Sequence, residues 1–246
     1  LSRELYPKQL LRLNSKKSLL EKTFLRLLDS IDEKNIISIT NQKHATDVRT
    51  QLSALAQNPV VLSEPVAKNT APAIAAAVKY ILDNGRDDVV IVVPSDHMID
   101  DVKAFSKTVK EGEELAREGY IVTFGIKPDS PQTGYGYIKA QKPAGDGFEV
   151  DEFKEKPDEK TAQKYLKDGN YYWNSGIFMF KASVFVEALK HYAKDIYEIY
   201  EEFDFKGEEN IPYVIFNKMP SISVDYAVME RAKNIALVPL KSDWND

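Results

Sequence analysis

The residue with the clearest potential for chemistry is Asp96, which follows the apolar, β-branched run 89–93. In open α/β sheets, ligands bind beyond the carboxyl ends of the strands. A carboxylate there suits magnesium, which prefers oxygen donors and keeps water and substrate phosphates as its other ligands. The alternative is that Asp96 only caps a turn, and position alone leaves both open. A Ser95–Asp96–His97 triad is excluded because adjacent residues cannot adopt the hydrogen-bonded geometry of a triad.

A second candidate is the start of the helix predicted after residue 68, where Asn69, Thr70 and Ala71 are small or polar. A helix start offers N–H groups and a positive dipole end, so a ligand's base or phosphate could lie there. The alternative is a tightly packed helix cap. The chain contains neither a G-x-x-x-x-G-K-[ST] loop nor a G-x-G-x-x-G motif, so P-loop and Rossmann dinucleotide sites lack support.

Several candidates for binding a sugar lie in the second half of the chain. Tyr135 and Gly136 belong to a glycine-containing turn, where backbone can approach a ligand or simply reverse direction. Glu155 could bind hydroxyls and the adjacent Lys156 a phosphate, although such pairs are commonly solvated surface. Asn174 follows two aromatic residues, which suits either a pocket wall or the entry to a core strand. Asp225, at a predicted helix start, is either a cap or a site residue, and Asp246 is a further acid at the end of the sequence.

These residues must be positioned by elements that alternate between strand and helix in the first half of the chain. Hydrophobic periodicity predicts strands at 36–40, 60–62, 88–93, 120–126, 136–140, 148–155, 176–181 and 235–240, and helices at 18–31, 45–56, 70–83 and 104–118, with others after 158 and from 182. We predict one α/β domain with a mixed, mostly parallel central sheet that is flanked by helices on both faces. The run 88–93 is predicted to be buried on both faces.

Composition limits the class of protein. The 246 residues are 43% hydrophobic, which suits one large domain or one domain with a small appendage. The formal net charge of −5 argues against nucleic acid as the main partner. There are no cysteines, so disulfides, thiolate metal sites and thiol nucleophiles are excluded. The longest apolar run is too short to span a bilayer. The start of the chain does not resemble a signal peptide. We therefore expect a cytoplasmic protein without a membrane partner.

The order of the motifs is more specific than any one of them. The chain resembles the mannose-1-phosphate guanylyltransferases across nearly its whole length, through YPKQ (6–9), EP (64–65) with KNTAPA (68–73), VPSDH (93–97), TGYGYI (133–138), FKEKP (153–157), WNSGIF (173–178) and SVDYAVME (223–230). The resemblance implies a Rossmann-like, GT-A-like nucleotidyltransferase domain. It further implies that GTP and mannose 1-phosphate react to give GDP-mannose and pyrophosphate, with Mg²⁺ as cofactor.

The resemblance also implies roles for individual residues. Lys8 matches a lysine that contacts the nucleotide phosphates, and residues 69–71 match the segment that lines the guanine pocket. Asp96 and Asp246 match the two metal-binding aspartates. The sugar-binding candidates are Tyr135, Gly136, Glu155, Lys156, Asn174 and Asp225, with Glu155 on the mannose hydroxyls and Lys156 on the sugar phosphate. The implied division is a nucleotide-binding half over about 1–130 and a sugar-binding half over 131–246.

The chain departs from the family pattern at both ends. The family's first strand and its loop G-G-x-G-x-R-x-x-P, which wraps the triphosphate, are not in this sequence, and it stops at Asp246 before the usual glycine. We therefore expect the chain by itself to have little transferase activity. Two other functions stay open: a sibling enzyme for another base or hexose, and a non-catalytic subunit that binds nucleotide sugars. The resemblance is also compatible with a homodimer.

Overall fold

The computed structural model describes residues 7–12, 15–206 and 208–245. Its helices are α1 (Leu19–Leu28), α2 (Ala45–Leu52), α3 (Thr70–Asp83), α4 (Val102–Arg117), α5 (Glu159–Asp168), α6 (Ala182–Tyr192), α7 (Lys194–Tyr200) and α8 (Tyr213–Phe216). Its strands are β1 (Ile37–Asn41), β2 (Val60–Glu64), β3 (Val89–Val92), β4 (Met98–Ile99), β5 (Ile121–Ile126), β6 (Tyr137–Ala144), β7 (Gly147–Lys154), β8 (Tyr171–Lys181), β9 (Ile235–Pro239) and β10 (Trp244–Asn245).

The predicted helix boundaries are confirmed where the sequence carries capping signals. Ser18 Oγ accepts a hydrogen bond from the Glu21 N–H (3.1 Å), and the Ser18 N–H donates to the Glu21 carboxylate (2.6 Å). This capping box starts α1, because it satisfies N–H groups that the helix itself cannot. Helix α3 begins after Asn69 as predicted, and Gly85, just beyond its end, has the left-handed φ of 75°.

The main sheet has six strands in the order β3-β8-β5-β9-β7-β6. Among the described strands of this sheet, β5 and β9 pair in parallel and every other pairing is antiparallel. The sheet is therefore mixed, as predicted, but the prediction that it is mostly parallel is wrong. The cause is strand order: the long strand β8 runs antiparallel between β3 and β5, and β6 and β7 form a hairpin. Local periodicity reveals strands but not which strand inserts between which.

A parallel pair, β1 and β2, forms a separate small sheet. A cavity of about 940 Å³ lies between β1 and β3, with apolar side chains of α1, α3 and α4 along it. Strand β3 is the edge of the main sheet and faces this cavity, so all four of its residues are only partly buried. The side chains of the run 89–93 still pack against a core on each face, Val90 and Val92 on one and Val89, Ile91 and Val93 on the other, so the prediction of burial on both faces is confirmed only in part.

Helices cover both faces of the main sheet, as predicted. On one face α3, α6 and α7 pack together over a core that includes Phe178, Phe180 and Phe185. On the other face α4 packs against β5, β8 and β9, around Phe105 and Phe124. The two layers make one α/β domain. In the described part of the chain, no helix has both the length and the apolar character needed to cross a membrane.

Candidate active site

Four predicted sugar-binding residues meet at one end of the main sheet. The Asn174 N–H, on β8, donates to the Gly136 carbonyl just before β6 (2.8 Å). The Asn174 side-chain Nδ2 donates to Asp225 Oδ1 (2.9 Å). Gly136 also contacts the Glu155 carboxylate, and a Cβ at position 136 would clash with Glu155 Oε2. The structure therefore brings Gly136, Glu155, Asn174 and Asp225 into one cluster, although they are far apart in sequence.

The Asn174 side chain is fixed from both sides. Its Oδ1 accepts hydrogen bonds from Thr123 Oγ1 (3.2 Å) and from the Gly176 N–H (3.0 Å). Its amide nitrogen must therefore face Asp225, which leaves one orientation of the amide. Thr123 is a supporting residue that sequence reasoning did not identify. It is fully buried within β5, where a threonine is an ordinary strand residue, so only the strand pairing reveals its role.

Glu155 and Lys156 differ in their surroundings, which argues against the solvated-pair interpretation. The Glu155 side chain is 11% exposed and that of Lys156 is 59% exposed, and Lys156 Nζ lies 3.6 Å from Glu155 Oε1. The other carboxylate oxygen, Oε2, is buried without a hydrogen-bond partner in the described structure. Burial raises the pKa of Glu155, and the nearby Asp225 carboxylate raises it further. A donor from a ligand hydroxyl would satisfy this oxygen.

Asp225 does not cap an ordinary helix. It is the first residue of a π-helix, Asp225–Met229, and Val224 occupies the N-cap position. Burial raises the pKa of Asp225, and its hydrogen bond from Asn174 opposes that rise. The cap interpretation is therefore wrong, and the side chain faces the cluster through Asn174. Single-turn π-helices are frequent at functional sites.

Aromatic rings form a wall beside this cluster. Tyr135 lies against Trp173, with ring centroids 5.3 Å apart, and against Trp244, at 5.4 Å. Trp244 Nε1 donates to Nδ1 of the buried His97 (3.2 Å). The end of the chain is thus tied to the segment that carries the metal candidate, and sequence reasoning missed this use of His97 and Trp244.

Asp96 lies just after β3, as predicted, and is partly buried. The capping of the next helix is done by Asp101, whose Oδ1 accepts from the Ala104 N–H (2.9 Å). Strand β10 pairs with β4, so Asn245 lies opposite Met98, two residues after Asp96. The second metal candidate, Asp246, lies outside the described residues. Within those residues, no group of three or more His, Cys, Asp or Glu could hold a metal ion by itself.

The start of α3 is packed more tightly than a site with open N–H groups would be. Asn69 has a φ of 69°, and its side chain accepts from the Thr70 N–H (2.8 Å). The Ala71 N–H donates to the Ile222 carbonyl (3.2 Å), and Ala71 is fully buried. The N–H groups of Thr70 and Ala71 are therefore occupied, which favours the packed-cap alternative, whereas a ligand contact through the exposed residues Asn69 and Thr70 stays a prediction. Thr70 Oγ1 accepts from the Val224 N–H (2.9 Å), which joins this segment to the π-helix.

Lys8 lies in a short 3-10 helix, Lys8–Leu10, and is exposed. The backbone carbonyl of Leu10 accepts from Gln51 Nε2 (3.0 Å), which fixes this segment against α2. The residue after Lys8, Gln9, lines the same cavity as Thr70, Ser95 and Asp225. The cavity between β1 and β3 therefore reaches Thr70 of the nucleotide-side candidates and Asp225 of the sugar-side cluster.

Fold and site together describe an α/β domain in which the buried Glu155 carboxylate lies beside the exposed Lys156 ammonium. The family model described as "Nucleotidyl transferase" matches residues 1–246. The chain therefore belongs to the nucleotidyl transferase family.

Two curated relatives align with the whole of this chain. The chain is 40% identical over 257 residues to a mannose-1-phosphate guanylyltransferase of Klebsiella pneumoniae, and 40% identical over 257 residues to the alginate biosynthesis protein AlgA of Pseudomonas aeruginosa. Each alignment covers 100% of this chain but only 54% of the relative, so the chain spans about half the length of these curated relatives.

Two solved structures share the fold closely. One, described as a mannose-1-phosphate geranyltransferase from Thermus thermophilus, is 30% identical with a TM-score of 0.89, and the match covers 100% of this chain and 70% of that one. The other, described as a mannose-6-phosphate isomerase from Helicobacter pylori, is 34% identical with a TM-score of 0.87, and the match covers 100% of this chain and 97% of that one.

Proposed function

We propose that this chain carries the catalytic site for guanylyl transfer from GTP to mannose 1-phosphate, with GDP-mannose and pyrophosphate as products. The observation that carries the proposal is the pocket around Glu155. A buried carboxylate oxygen without a partner in the described structure lies against Gly136 and beside an exposed lysine ammonium. The names of the relatives support mannose 1-phosphate as the sugar phosphate.

In this proposal the sugar is held by Glu155 and its neighbours. Mannose hydroxyls donate to the Glu155 carboxylate, while the Gly136 backbone allows the ring to approach closely. The exposed ammonium of Lys156 pairs with the sugar phosphate next to the pocket. Asn174 and Asp225 border the sugar, and Tyr135 forms part of the aromatic wall. The pocket thus fixes the sugar ring, and the lysine fixes its phosphate.

The nucleotide is assigned to the other end of the cavity. Lys8 contacts the phosphates of GTP, and residues 69–71 line the guanine pocket. Asp96 and Asp246 would hold the magnesium ion, and carboxylate oxygens are the donors that this cation prefers. The pairing of Asn245 with Met98 supports this assignment, because Asn245 precedes Asp246 in the sequence and Met98 lies two residues after Asp96. Magnesium, when bound, offsets the negative charge of the triphosphate.

The two halves of the chain would then supply the two substrates. Residues of about 1–130 bind the nucleotide, and residues 131–246 bind the sugar phosphate. An oxygen of mannose 1-phosphate attacks the α-phosphorus of GTP in line. A new P–O bond forms, the bond between the α-phosphorus and its bridging oxygen breaks, and pyrophosphate leaves. Catalysis comes from positioning and charge neutralisation, to which Lys8 and Lys156 contribute as cations.

The experiment is an assay of pyrophosphate release by the complete gene product, with magnesium and every pairing of GTP, ATP, UTP and CTP with mannose, glucose and galactose 1-phosphates. We expect the highest kcat/KM for GTP with mannose 1-phosphate. A higher value for another pair would identify a sibling transferase. Tight binding of GDP-mannose without any pyrophosphate release would identify a regulatory subunit. We further propose that the protein acts in the cytoplasm as a homodimer.

A further inference from the structure

The backbone of the segment that contains Glu155 and Lys156 adopts an unfavourable bend at Lys156. Lys156 has a φ of 45°, in the left-handed region that residues other than glycine rarely adopt. It also precedes Pro157, which restricts the backbone of the residue before it. Such a conformation is unfavourable for a residue other than glycine and persists only when its surroundings impose it. Some contact must therefore hold this bend.

The contact comes from Glu230, at the end of the π-helix. The Glu155 N–H donates to Glu230 Oε1 over 2.9 Å. A carboxylate acceptor makes this bond stronger than one between neutral groups. The other neighbour of Glu230 is the half-exposed Lys154 ammonium, at 3.9 Å, and a partly solvated ion pair at that distance contributes little. The directed interaction of Glu230 is thus the one with the backbone of Glu155.

The π-helix explains why Asp225 and Glu230 can serve the same site. The Glu230 N–H donates to the Asp225 carbonyl (2.9 Å), so this hydrogen bond joins residues five apart, as in a π-helix, instead of four apart. In an α-helix, with 3.6 residues per turn, residues five apart lie on well-separated faces. The wider turn brings Asp225 toward Asn174 and Glu230 toward Glu155 at once.

We propose that Glu230 is a positioning residue for the sugar phosphate. Its carboxylate accepts a hydrogen bond from the Glu155 N–H and thereby holds the backbone bend at Lys156. The bend in turn orients the Glu155 carboxylate and the Lys156 ammonium toward their common ligand. Glu230 does not touch the substrate itself. This proposal rests on the proposed function, because it assumes that Glu155 and Lys156 bind mannose 1-phosphate.

The test compares Glu230→Gln, which keeps an acceptor oxygen, with Glu230→Ala, which removes it. Lys154→Ala is the matched control, because it removes the other partner of Glu230. In the complete gene product, we expect Glu230→Ala to raise the KM for mannose 1-phosphate about tenfold and to leave the KM for GTP within about twofold. Glu230→Gln and Lys154→Ala should stay within about twofold of the wild type for both substrates.

A second readout does not depend on the proposed function. Hydrogen exchange of the Glu155 amide should accelerate in Glu230→Ala and remain slow in Glu230→Gln and Lys154→Ala. The proposal is overturned if Glu230→Ala keeps normal KM values, if both KM values rise together, or if the glutamine variant is as impaired as the alanine variant. If wild-type protein makes no GDP-mannose while the exchange pattern holds, the proposed function fails and the contact of Glu230 with Glu155 stands.

Discussion

The Glu155 carboxylate occupies the space that a side chain at position 136 would need. A Cβ on Gly136 would clash with Glu155 Oε2 and would lie 3.3 Å from the Asn174 Cβ. Gly136 is therefore glycine because of what faces it, and its φ does not lie in the left-handed region. This close approach links the turn before β6 to the carboxylate that the proposal assigns to the sugar.

Gly136→Ala should weaken sugar binding with little loss of stability. The clashing atom is the end of a flexible side chain, so Glu155 can rotate away, but its carboxylate then leaves the pocket. We expect the KM for mannose 1-phosphate to rise about tenfold or more in steady-state assays. Gly134→Ala is the control, because a Cβ at that position meets nothing within 4 Å. Equal KM values in the two variants would contradict the assigned role of the contact.

Asn174→Asp should destabilise the protein. The substitution replaces the amide that donates to Asp225 with a second carboxylate, at a place where burial already raises the pKa of Asp225. Loss of the hydrogen bond and repulsion between like charges should cost about 1–3 kcal/mol in urea unfolding at neutral pH. Asn170→Asp, at an exposed position just before β8, is the control. If both variants unfold at the same urea concentration, the hydrogen bond from Asn174 to Asp225 does not stabilise the fold.

Asp96→Asn should lower turnover by at least about a hundredfold, because an amide is a poorer ligand for magnesium than a carboxylate. The magnesium concentration that gives half-maximal rate should rise as well. Asp100→Asn is a suitable control, since Asp100 is exposed and only four residues away. A near-normal rate and magnesium dependence in Asp96→Asn would remove Asp96 from the metal site.

Glu64→Gln should stabilise the protein in a pH-dependent way. Burial raises the pKa of Glu64 to about 7, and its Oε1 is buried without a partner in the described structure. Between the ordinary pKa of 4.5 and about 7, the unfolded chain loses this proton while the folded protein retains it. The stability of the wild type therefore falls as pH rises through that window, and above it the loss is complete.

Glutamine resembles the protonated acid and does not titrate. We expect the free energy of unfolding of Glu64→Gln, relative to wild type, to grow from about pH 5 to about pH 7.5 and to reach at most about 3 kcal/mol. Glu114→Gln, at an exposed position of α4, is the control and should show no such trend. A difference that stays constant across this pH range would show that Glu64 is ionised in the folded protein.

Local signals in the sequence predict much of the fold. The Ser18 capping box, the Asn69 cap and the Gly85 helix end are all confirmed, because each depends on residues close in sequence. Strand direction is not local. The insertion of β8 between β3 and β5 makes the sheet mixed. This insertion depends on packing between distant segments, which hydrophobic periodicity does not reveal.

The site is predictable to the extent that motifs identify residues. The motifs single out Glu155, Asn174 and Asp225, and the structure brings them together. The motifs do not reveal Thr123 and Glu230 as supporting residues. Thr123 supports Asn174 across two paired strands, and Glu230 reaches Glu155 only because a π-helix replaces an α-helical turn. Neither of these two hydrogen bonds can be predicted from the spacing of residues in the sequence.

The most direct test of the account follows the oxygen atoms of mannose 1-phosphate. The three non-bridging phosphate oxygens are labelled with ¹⁸O, and the complete gene product is supplied with unlabelled GTP and magnesium. Attack by the sugar phosphate on the α-phosphorus predicts GDP-mannose that carries all three labelled oxygens and pyrophosphate that carries none, as read by mass spectrometry. Label in pyrophosphate, or release of inorganic phosphate with loss of label from the sugar nucleotide, would contradict guanylyl transfer.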